Sequence, residues 1–271
     1  MAEGRVEIHE GVVFGTGSGR ELRCDLYRPP GDDRRRPAVL LIHGGGWRSG
    51  DRTQLRGYGI LLGRAGYLCV ATEYRLVGEA PWPAQIHDVK AALRWMKANA
   101  ADLGIDPDRI ALEGNSAGAH LALFAAGTPN VDAYEGDGGN AGVDTSVSAV
   151  IAVYPPTRFC YGARTHGSVP IEALSDAPSA ELAETASPAN LVGAGFPPTM
   201  LVHGSADDTV PVSASFLMYE RLVEHKVPAE LHVYAGQPHG FDADPRFGRP
   251  TAELMTLFLG RYLRAEAPAP A

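Results

Sequence analysis

Hydrophobic and polar positions along the chain fall into two alternating kinds of segment. Residues 6–14 and 21–27 alternate in the two-residue rhythm of strands and flank the glycine-rich stretch 15–19, which predicts a hairpin. Beyond them, short apolar runs take turns with amphipathic stretches: 38–42 then 55–62, 68–72 then 86–98, 110–112 then 117–125. That order predicts an α/β fold, a parallel sheet covered by helices on both faces. The clearest helix spans 84–100, where Ile86, Val89, Leu93 and Met96 recur at spacings of three and four, and it is expected to stop in the loop 102–107. Further along, 147–154, 199–202 and 230–234 read as strands, and 213–224 and 251–262 as helices.

Two stretches break this rhythm, 127–146 and 155–198, both rich in Gly, Pro, Ser and Ala. Segments of that length inside a compact domain are functional covers or hold short helices invisible to pattern, and 155–198 is read as a lid insertion. The expected organisation is one domain over residues 1–264 and a disordered Ala/Pro tail over 265–271. Hydrophobic residues at 45% and charged residues at 21% are enough for a sizeable core. A net charge of -8 without a Lys/Arg-rich block argues against nucleic acid as a partner; the basic run Arg34-Arg35-Arg36 sits in a Pro/Gly/Asp-rich loop and reads as a solvated turn. The three cysteines, Cys24, Cys69 and Cys160, are too scattered for a disulfide framework or a metal cluster, which fits a cytoplasmic protein. No apolar run approaches the ~20 residues of a membrane span, and residues 1–10 do not read as a secretory signal.

The most specific chemical signal is Gly114-Asn115-Ser116-Ala117-Gly118, between a strand ending near Glu113 and a helix beginning near Ala117. A strand-to-helix elbow of this kind lifts a serine hydroxyl clear of the chain, and its glycines are needed because side chains would collide. A serine hydroxyl is a weak nucleophile at neutral pH, so it requires a base and a third group that orients the base. Where a Gly-x-Ser-x-Gly elbow belongs to a hydrolase sheet, the acid and then the histidine follow downstream. Asp207 lies in the loop after the strand 199–202, and His239 after the strand 230–234, both at the carboxyl edge where open parallel sheets gather their functional groups.

Each choice has a rival. His203 competes as base because it stands close to Asp207 in sequence, but it sits at a strand end before the acid; Asp208 competes as acid, and neighbouring side chains point in different directions. His120, one turn after Ser116, is expected to pack or hydrogen-bond, and His9, His87, His166, His225 and His232 carry no partner signal. His43-Gly44-Gly45-Gly46-Trp47 follows the strand 38–42 and reads as a source of backbone N–H donors for an oxyanion, worth about 2.7–4 kcal/mol each in a transition state. Ala117, directly after the nucleophile, supplies the second source, and His43 is expected to hold the loop through a side-chain hydrogen bond.

On these motifs the chain resembles the α/β-hydrolase superfamily, in particular the esterase/lipase group with His-Gly-Gly-Gly-Trp, which includes hormone-sensitive-lipase-like and acetylxylan/feruloyl-esterase-like members. The resemblance extends to Glu73-Tyr74-Arg75-Leu76, to Pro83-Ala84-Gln85-Ile86-His87-Asp88-Val89, to the run from Gly104 to Ile110, and to Ala186-Ser187-Pro188. It implies an eight-stranded, mostly parallel sheet, a triad of Ser116, His239 and Asp207 working without cofactor or metal, and acyl-enzyme chemistry on a small ester. It also implies Gly45 and Gly46 as loop donors, with Gly44 the alternative. The chain departs from many relatives in having Ala119 after Ser-Ala-Gly, and in having only residues 1–42 ahead of the glycine loop, so the acyl pocket is expected to be open and roofed by 155–198. Short acyl chains fit that modest cover, and a homodimer is compatible with it. A histidine base must be unprotonated, so activity is expected to decline as pH falls below the ordinary histidine value of ~6.5. The other readings are an arylformamidase-like amide hydrolase, an exopeptidase-like serine hydrolase and a binding module on a hydrolase fold.

Overall fold

The computed structural model describes residues 4–31 and 35–263, so the tail expected over 265–271 lies outside the described residues. Strands β1 (Glu7–Gly17) and β2 (Arg20–Arg28) form the expected hairpin, and its two-residue turn places Ser18 and Gly19 at φ 50° and 77°. Positive φ at both central positions matches the twist of the flanking strands. The strands run further into the glycine-rich stretch than the pattern suggested, because Gly15 and Gly17 still pair with Leu22 and Arg20.

The rest of the sheet comes from β3 (Arg36–Ile42), β4 (Leu68–Thr72), β5 (Ile105–Asn115), β6 (Ala149–Val153), β9 (Thr199–Gly204) and β10 (Ala229–Tyr234). Their spatial order is β1-β2-β4-β3-β5-β6-β9-β10, antiparallel at β1–β2 and β2–β4 and parallel from β4 to β10. The alternation of the strands sorts the core into two halves. Ala38, Leu40 and Ile42 of β3 join the cluster that includes Ile86, Val89, Leu93 and Met96 of α2 (Ala84–Ala98) and Leu121 and Phe124 of α4 (Ala117–Gly127). Val39 and Leu41 join the opposite cluster, with Tyr58 and Leu62 of α1 (Arg56–Arg64) and Met255, Phe258 and Leu259 of α8 (Pro245–Tyr262). Helix α7 (Ser213–Glu224) adds Met218 and Leu222 to the first cluster. This is the eight-stranded, mostly parallel α/β-hydrolase arrangement.

Three boundaries differ from the pattern. The helix expected over 84–100 ends at Ala98 and is followed by the separate turn α3 (Ala100–Leu103), whose C-cap Gly104 is left-handed at φ 71°. Strand β5 then begins at Ile105, inside what reads as a loop, because Arg36 of β3 pairs with Ile105. The last helix starts six residues before the expected Thr251: Pro245 occupies its first turn, where a missing N–H costs nothing, and the Asp244 side chain accepts from Arg246 N.

The two irregular stretches hold short elements. Within 127–146, α5 (Asp132–Glu135) delivers Glu135 to two cations of α2, Lys90 Nζ at 2.7 Å and Arg94 at 2.8 Å, while Arg94 also donates to Gly139 O. Both cations are buried, so this stretch supplies the anion and carbonyls that make their burial tolerable. Within 155–198 lie β7 (Arg158–Cys160), β8 (Ser168–Pro170) and α6 (Ala180–Thr185); β7 and β8 pair in a separate two-stranded sheet.

Candidate active site

Ser116 stands between β5 and α4 at φ 54°, ψ -116°, a conformation that L-residues adopt only where the surroundings enforce it. The enforcement is steric. A Cβ on Gly118 would lie 1.9 Å from Ile42 O, and one on Gly114 would lie 2.4 Å from the Gly118 carbonyl, so the helix packs directly onto the sheet only with glycine at both positions. Ala119 is completely buried in the same contact and is accommodated without a glycine.

The three side chains singled out from sequence come together. His239 Nε2 lies 2.9 Å from Ser116 Oγ and His239 Nδ1 lies 2.7 Å from Asp207 Oδ2. Asp207 sits in the turn after β9, and its Oδ1 accepts from the backbone N–H groups of Thr209 at 3.0 Å and Val210 at 2.8 Å. Burial pushes the Asp207 carboxyl up, but hydrogen bonds from His203, His239 and Val210 more than offset it and hold the group well below the usual carboxylate range. The rival acid, Asp208, is exposed and, among the described residues, receives only a 3.4 Å contact from Thr209 Oγ1.

His203, the rival base, is fully buried. Its Nε2 lies 3.0 Å from Val210 O and 3.2 Å from Asp207 Oδ2, and its Nδ1 lies 2.7 Å from Ser215 Oγ. Nε2 faces two acceptors and therefore carries the proton, which makes His203 a donor that braces the Asp207 turn from below. Its nearness to Asp207 in sequence is real in space, but both ring nitrogens are occupied away from Ser116.

The glycine loop lies against the elbow. A Cβ on Gly44 would be 2.9 Å from Asn115 O and 3.4 Å from Ser116 Cβ, and Gly45 is held at φ 112° by a turn in which its carbonyl accepts from Arg48 N and Ser49 N. Among the described residues, the N–H groups of Gly44, Gly45, Gly46 and Ala117 donate to no backbone carbonyl. Ala117 is the first residue of α4, where an N–H has no partner inside the helix. His43 holds the loop as expected, donating from Nδ1 to Gly44 O at 2.7 Å, and its ring stacks on Tyr74 with centroids 4.2 Å apart. Tyr74 Oη in turn donates to His43 O. Burial lowers the His43 pKa to about 4, so the ring is neutral at physiological pH.

The motifs that carry the family resemblance turn out to frame this site. Arg75 is clamped by both oxygens of Asp88 in a buried ion pair at 2.7–3.1 Å. His120 donates from Nε2 to Ala186 O at 2.9 Å and accepts from Trp47 Nε1 at 3.2 Å, which ties α4 to the glycine loop and to the 155–198 stretch. It is a packing residue, and burial lowers its pKa to about 4.

Ser116 and His239 open into a cavity of about 730 Å³. Its walls are the glycine loop, Leu55, Tyr58 and Leu61 on the α1 side, and Pro245 and Arg249 of α8. No residue of 155–198 lines it. That stretch packs instead behind the glycine loop: Phe159 lies against Trp47 and His120, and Asp176 pairs with Arg48 at 2.7 Å. The sequence pattern drew attention to 155–198 because it is irregular, whereas beside the glycine loop the cavity is walled by α1 and α8, whose apolar residues read as ordinary core.

One group of residues escaped the sequence reading. Asp242, three positions after His239, accepts from Tyr58 Oη at 2.7 Å, Asn115 Nδ2 at 2.7 Å and Tyr154 Oη at 2.5 Å. The Tyr154 ring also lies against His239, with centroids 4.5 Å apart. Among the described residues no cluster of His, Cys, Asp and Glu has the makings of a metal site, and no helix is long and apolar enough to cross a membrane.

Comparison with known proteins bears on the family and the fold. The family model BD-FAE matches residues 24–222. Esterase LipC of Mycobacterium tuberculosis is 34% identical over 245 residues, covering 85% of this chain and 60% of LipC, and Esterase LipQ of the same organism is 33% identical, covering 92% and 61%. The chain thus spans about 60% of the length of the curated relatives it matches. Among solved structures, Thermogutta terrifontis esterase 2 with butyrate bound superposes with a TM-score of 0.82 at 28% identity, covering 97% of this chain and 96% of that one. The same esterase phosphonylated by sarin gives 0.82 at 28% identity, covering 96% and 97%. The family match and these relatives together establish that the chain belongs to the BD-FAE family, within the esterase/lipase α/β-hydrolases.

Proposed function

We propose that the protein is a carboxylic ester hydrolase that works through Ser116, His239 and Asp207 by way of an acyl-enzyme. The observation that carries the proposal is the continuous hydrogen-bonded line from Ser116 Oγ through His239 to the buried Asp207 carboxylate, at 2.9 and 2.7 Å. Ser116 Oγ attacks the ester carbonyl and passes its proton to His239 Nε2, while Asp207 fixes the Nδ1–H tautomer and offsets the charge of the imidazolium. The carbonyl oxygen, now negative, is received by the N–H groups of Gly45, Gly46 and Ala117. Collapse of the tetrahedral species breaks the bond to the alcohol, which leaves with the proton from His239. Water then repeats the sequence on the acyl-serine, returning the acid and free Ser116.

Leu55, Ile60 and Leu61 give the cavity an apolar wall for an acyl chain, with Arg64 and Arg249 also in its lining, and the butyrate bound to the Thermogutta esterase supports short chains as substrates. The 155–198 stretch is read as a buttress of the glycine loop, through Phe159 and Asp176. The proposed location is the cytoplasm, which the three buried, unbridged cysteines support. The test is a panel of p-nitrophenyl esters from acetyl to decanoyl, beside N-formylkynurenine and dipeptide anilides. The expected result is turnover of the esters with a maximum at short chains. Turnover of the formamide or the anilides in preference to every ester would contradict it.

A further inference from the structure

Two loops must meet for Ser116 and His239 to lie within a hydrogen bond of each other, and Asp207 restrains only one end of the second. On the Gln237 side, the His239 loop is tied to the Asp207 turn by Ala206 N donating to Gln237 O at 3.0 Å. On the other side, Gly240 is left-handed at φ 73° and offers no side chain, so its neighbours toward the C-terminus must fix the path of the chain. Those neighbours form the short helical turn Phe241–Ala243, with Asp242 at its centre.

Every polar contact of the Asp242 carboxylate runs to an element of the site. Asn115, the residue before Ser116, reaches it from the elbow; Tyr154 from the end of β6; Tyr58 from α1. Asn115 Nδ2 is shared with Tyr154 Oη, also at 2.7 Å, so the three groups close into a ring of hydrogen bonds. Tyr154 is held in the left-handed region at φ 42°, which turns its phenol toward Asp242 and sets its ring against His239. Below this ring Glu113 is fully buried; alternate residues of a strand share a face, so Glu113 and Asn115 point the same way from β5. Both Glu113 carboxyl oxygens and Asn115 Oδ1 have no hydrogen-bond partner among the described residues. Burial, with Asp242 adding to it, pushes the Glu113 carboxyl well above its ordinary value and so favours its neutral form.

We propose that Asp242 is a positioning residue: together with Asn115, Tyr154 and Tyr58 it fastens the nucleophile elbow to the histidine loop and sets His239 Nε2 at hydrogen-bond distance from Ser116 Oγ. This rests on the hydrolase reading above without being entailed by it, since Asp242 lines the same cavity but, among the described residues, hydrogen-bonds to neither Ser116 nor His239. A base displaced by an ångström costs up to about 100-fold in rate even when binding is intact.

The test compares wild type with Asp242→Ala, Asn115→Ala, the double variant and Tyr154→Phe, reading kcat and KM on p-nitrophenyl butyrate and the rate of Ser116 labelling by a fluorophosphonate. The expected result is a fall in kcat of about 10- to 100-fold for Asp242→Ala, with KM within threefold and a parallel fall in labelling rate. The double variant is expected to fall little further than Asp242→Ala alone, because both residues belong to one device. Tyr154→Phe keeps the ring and the fold and is expected to lose several-fold in kcat, so it decides the matter if Asp242→Ala does not fold. Folded variants whose kcat stays within twofold of wild type, or whose losses multiply in the double variant, would overturn the proposal. A wild-type protein that neither turns over the ester nor takes the label overturns the hydrolase reading itself, and this proposal with it.

Discussion

His203 and His239 address the same oxygen of Asp207: His239 Nδ1 is 2.7 Å from Oδ2, and His203 Nε2 is 3.2 Å from it. A carboxylate taken out of water is stable only where its lone pairs are met, and here two imidazoles and two backbone N–H groups meet them. The same contacts fix the direction in which Oδ2 presents itself to His239.

Asp207→Asn keeps the shape but replaces one acceptor oxygen with an N–H donor, leaving the His239 tautomer unspecified. Kcat on p-nitrophenyl butyrate is expected to fall by about 10³–10⁴-fold with little change in KM. Asp208→Asn, at an exposed position, is expected to stay within twofold. Steady-state kinetics on the two variants distinguishes the acids, and comparable losses would contradict the assignment.

His203→Phe removes the donor to Val210 O and Asp207 Oδ2 and leaves Ser215 Oγ without its ring partner. A hydrogen bond to a charged group is worth about 1.5 kcal/mol, so kcat is expected to fall by about tenfold, and urea unfolding to show a loss of about 1–3 kcal/mol. A variant with full activity and full stability would show the brace to be idle.

Glu113 gives the protein a pH dependence of known sign. Burial, with the negative Asp242 adding to it, pushes its carboxyl well above the ordinary value of 4.5. A folded-state value raised above the unfolded one contributes stability that is present below 4.5 and is lost as pH rises toward the folded value. Glu113→Gln has no proton to lose, so its stability relative to wild type is expected to improve from pH 4.5 to pH 8. Urea denaturation of both proteins across that range measures the difference, and a pH-independent difference would contradict the neutral buried acid.

Glycine substitutions separate steric need from simple permissiveness. Gly118→Ala would force a methyl group to within 1.9 Å of Ile42 O and is expected to cost at least about 2–3 kcal/mol and the activity. Gly260→Ala, within α8 and with nothing near its would-be Cβ, is expected to gain about 0.5–1 kcal/mol from helix propensity. Thermal unfolding reports both; equal effects would contradict the tight elbow.

Much of this architecture was legible because it is written in short-range pattern. The apolar run Ala38 to Ile42 reports a strand buried on both faces, the spacing of Ile86, Val89, Leu93 and Met96 reports one face of a helix, and Ser116 announces itself through glycines that sterics require. Asp207 and His239 were legible only through chain order and strand-end position, which is why His203 and Asp208 stood as rivals. Asp242 was not legible: its three partners lie 88 to 184 residues away in sequence, and an acid in a late loop looks like any solvated turn. The cavity walls were missed for the opposite reason, since Leu55 and Leu61 are ordinary core-type residues until the fold sets them beside Ser116. The start of α8 was hidden by Pro245 and Pro250, which read as breakers although the first is suited to a helix N-terminus.

The central claim is that Ser116 is the group acylated during turnover. Its most direct measurement is mass spectrometry of the protein after exposure to a fluorophosphonate, for wild type, Ser116→Ala and His239→Ala. The account predicts a single adduct per chain on the peptide carrying Ser116, no adduct in Ser116→Ala, and labelling slowed by at least about 10³-fold in His239→Ala. An adduct on another residue, or ester hydrolysis undiminished in Ser116→Ala, would contradict it.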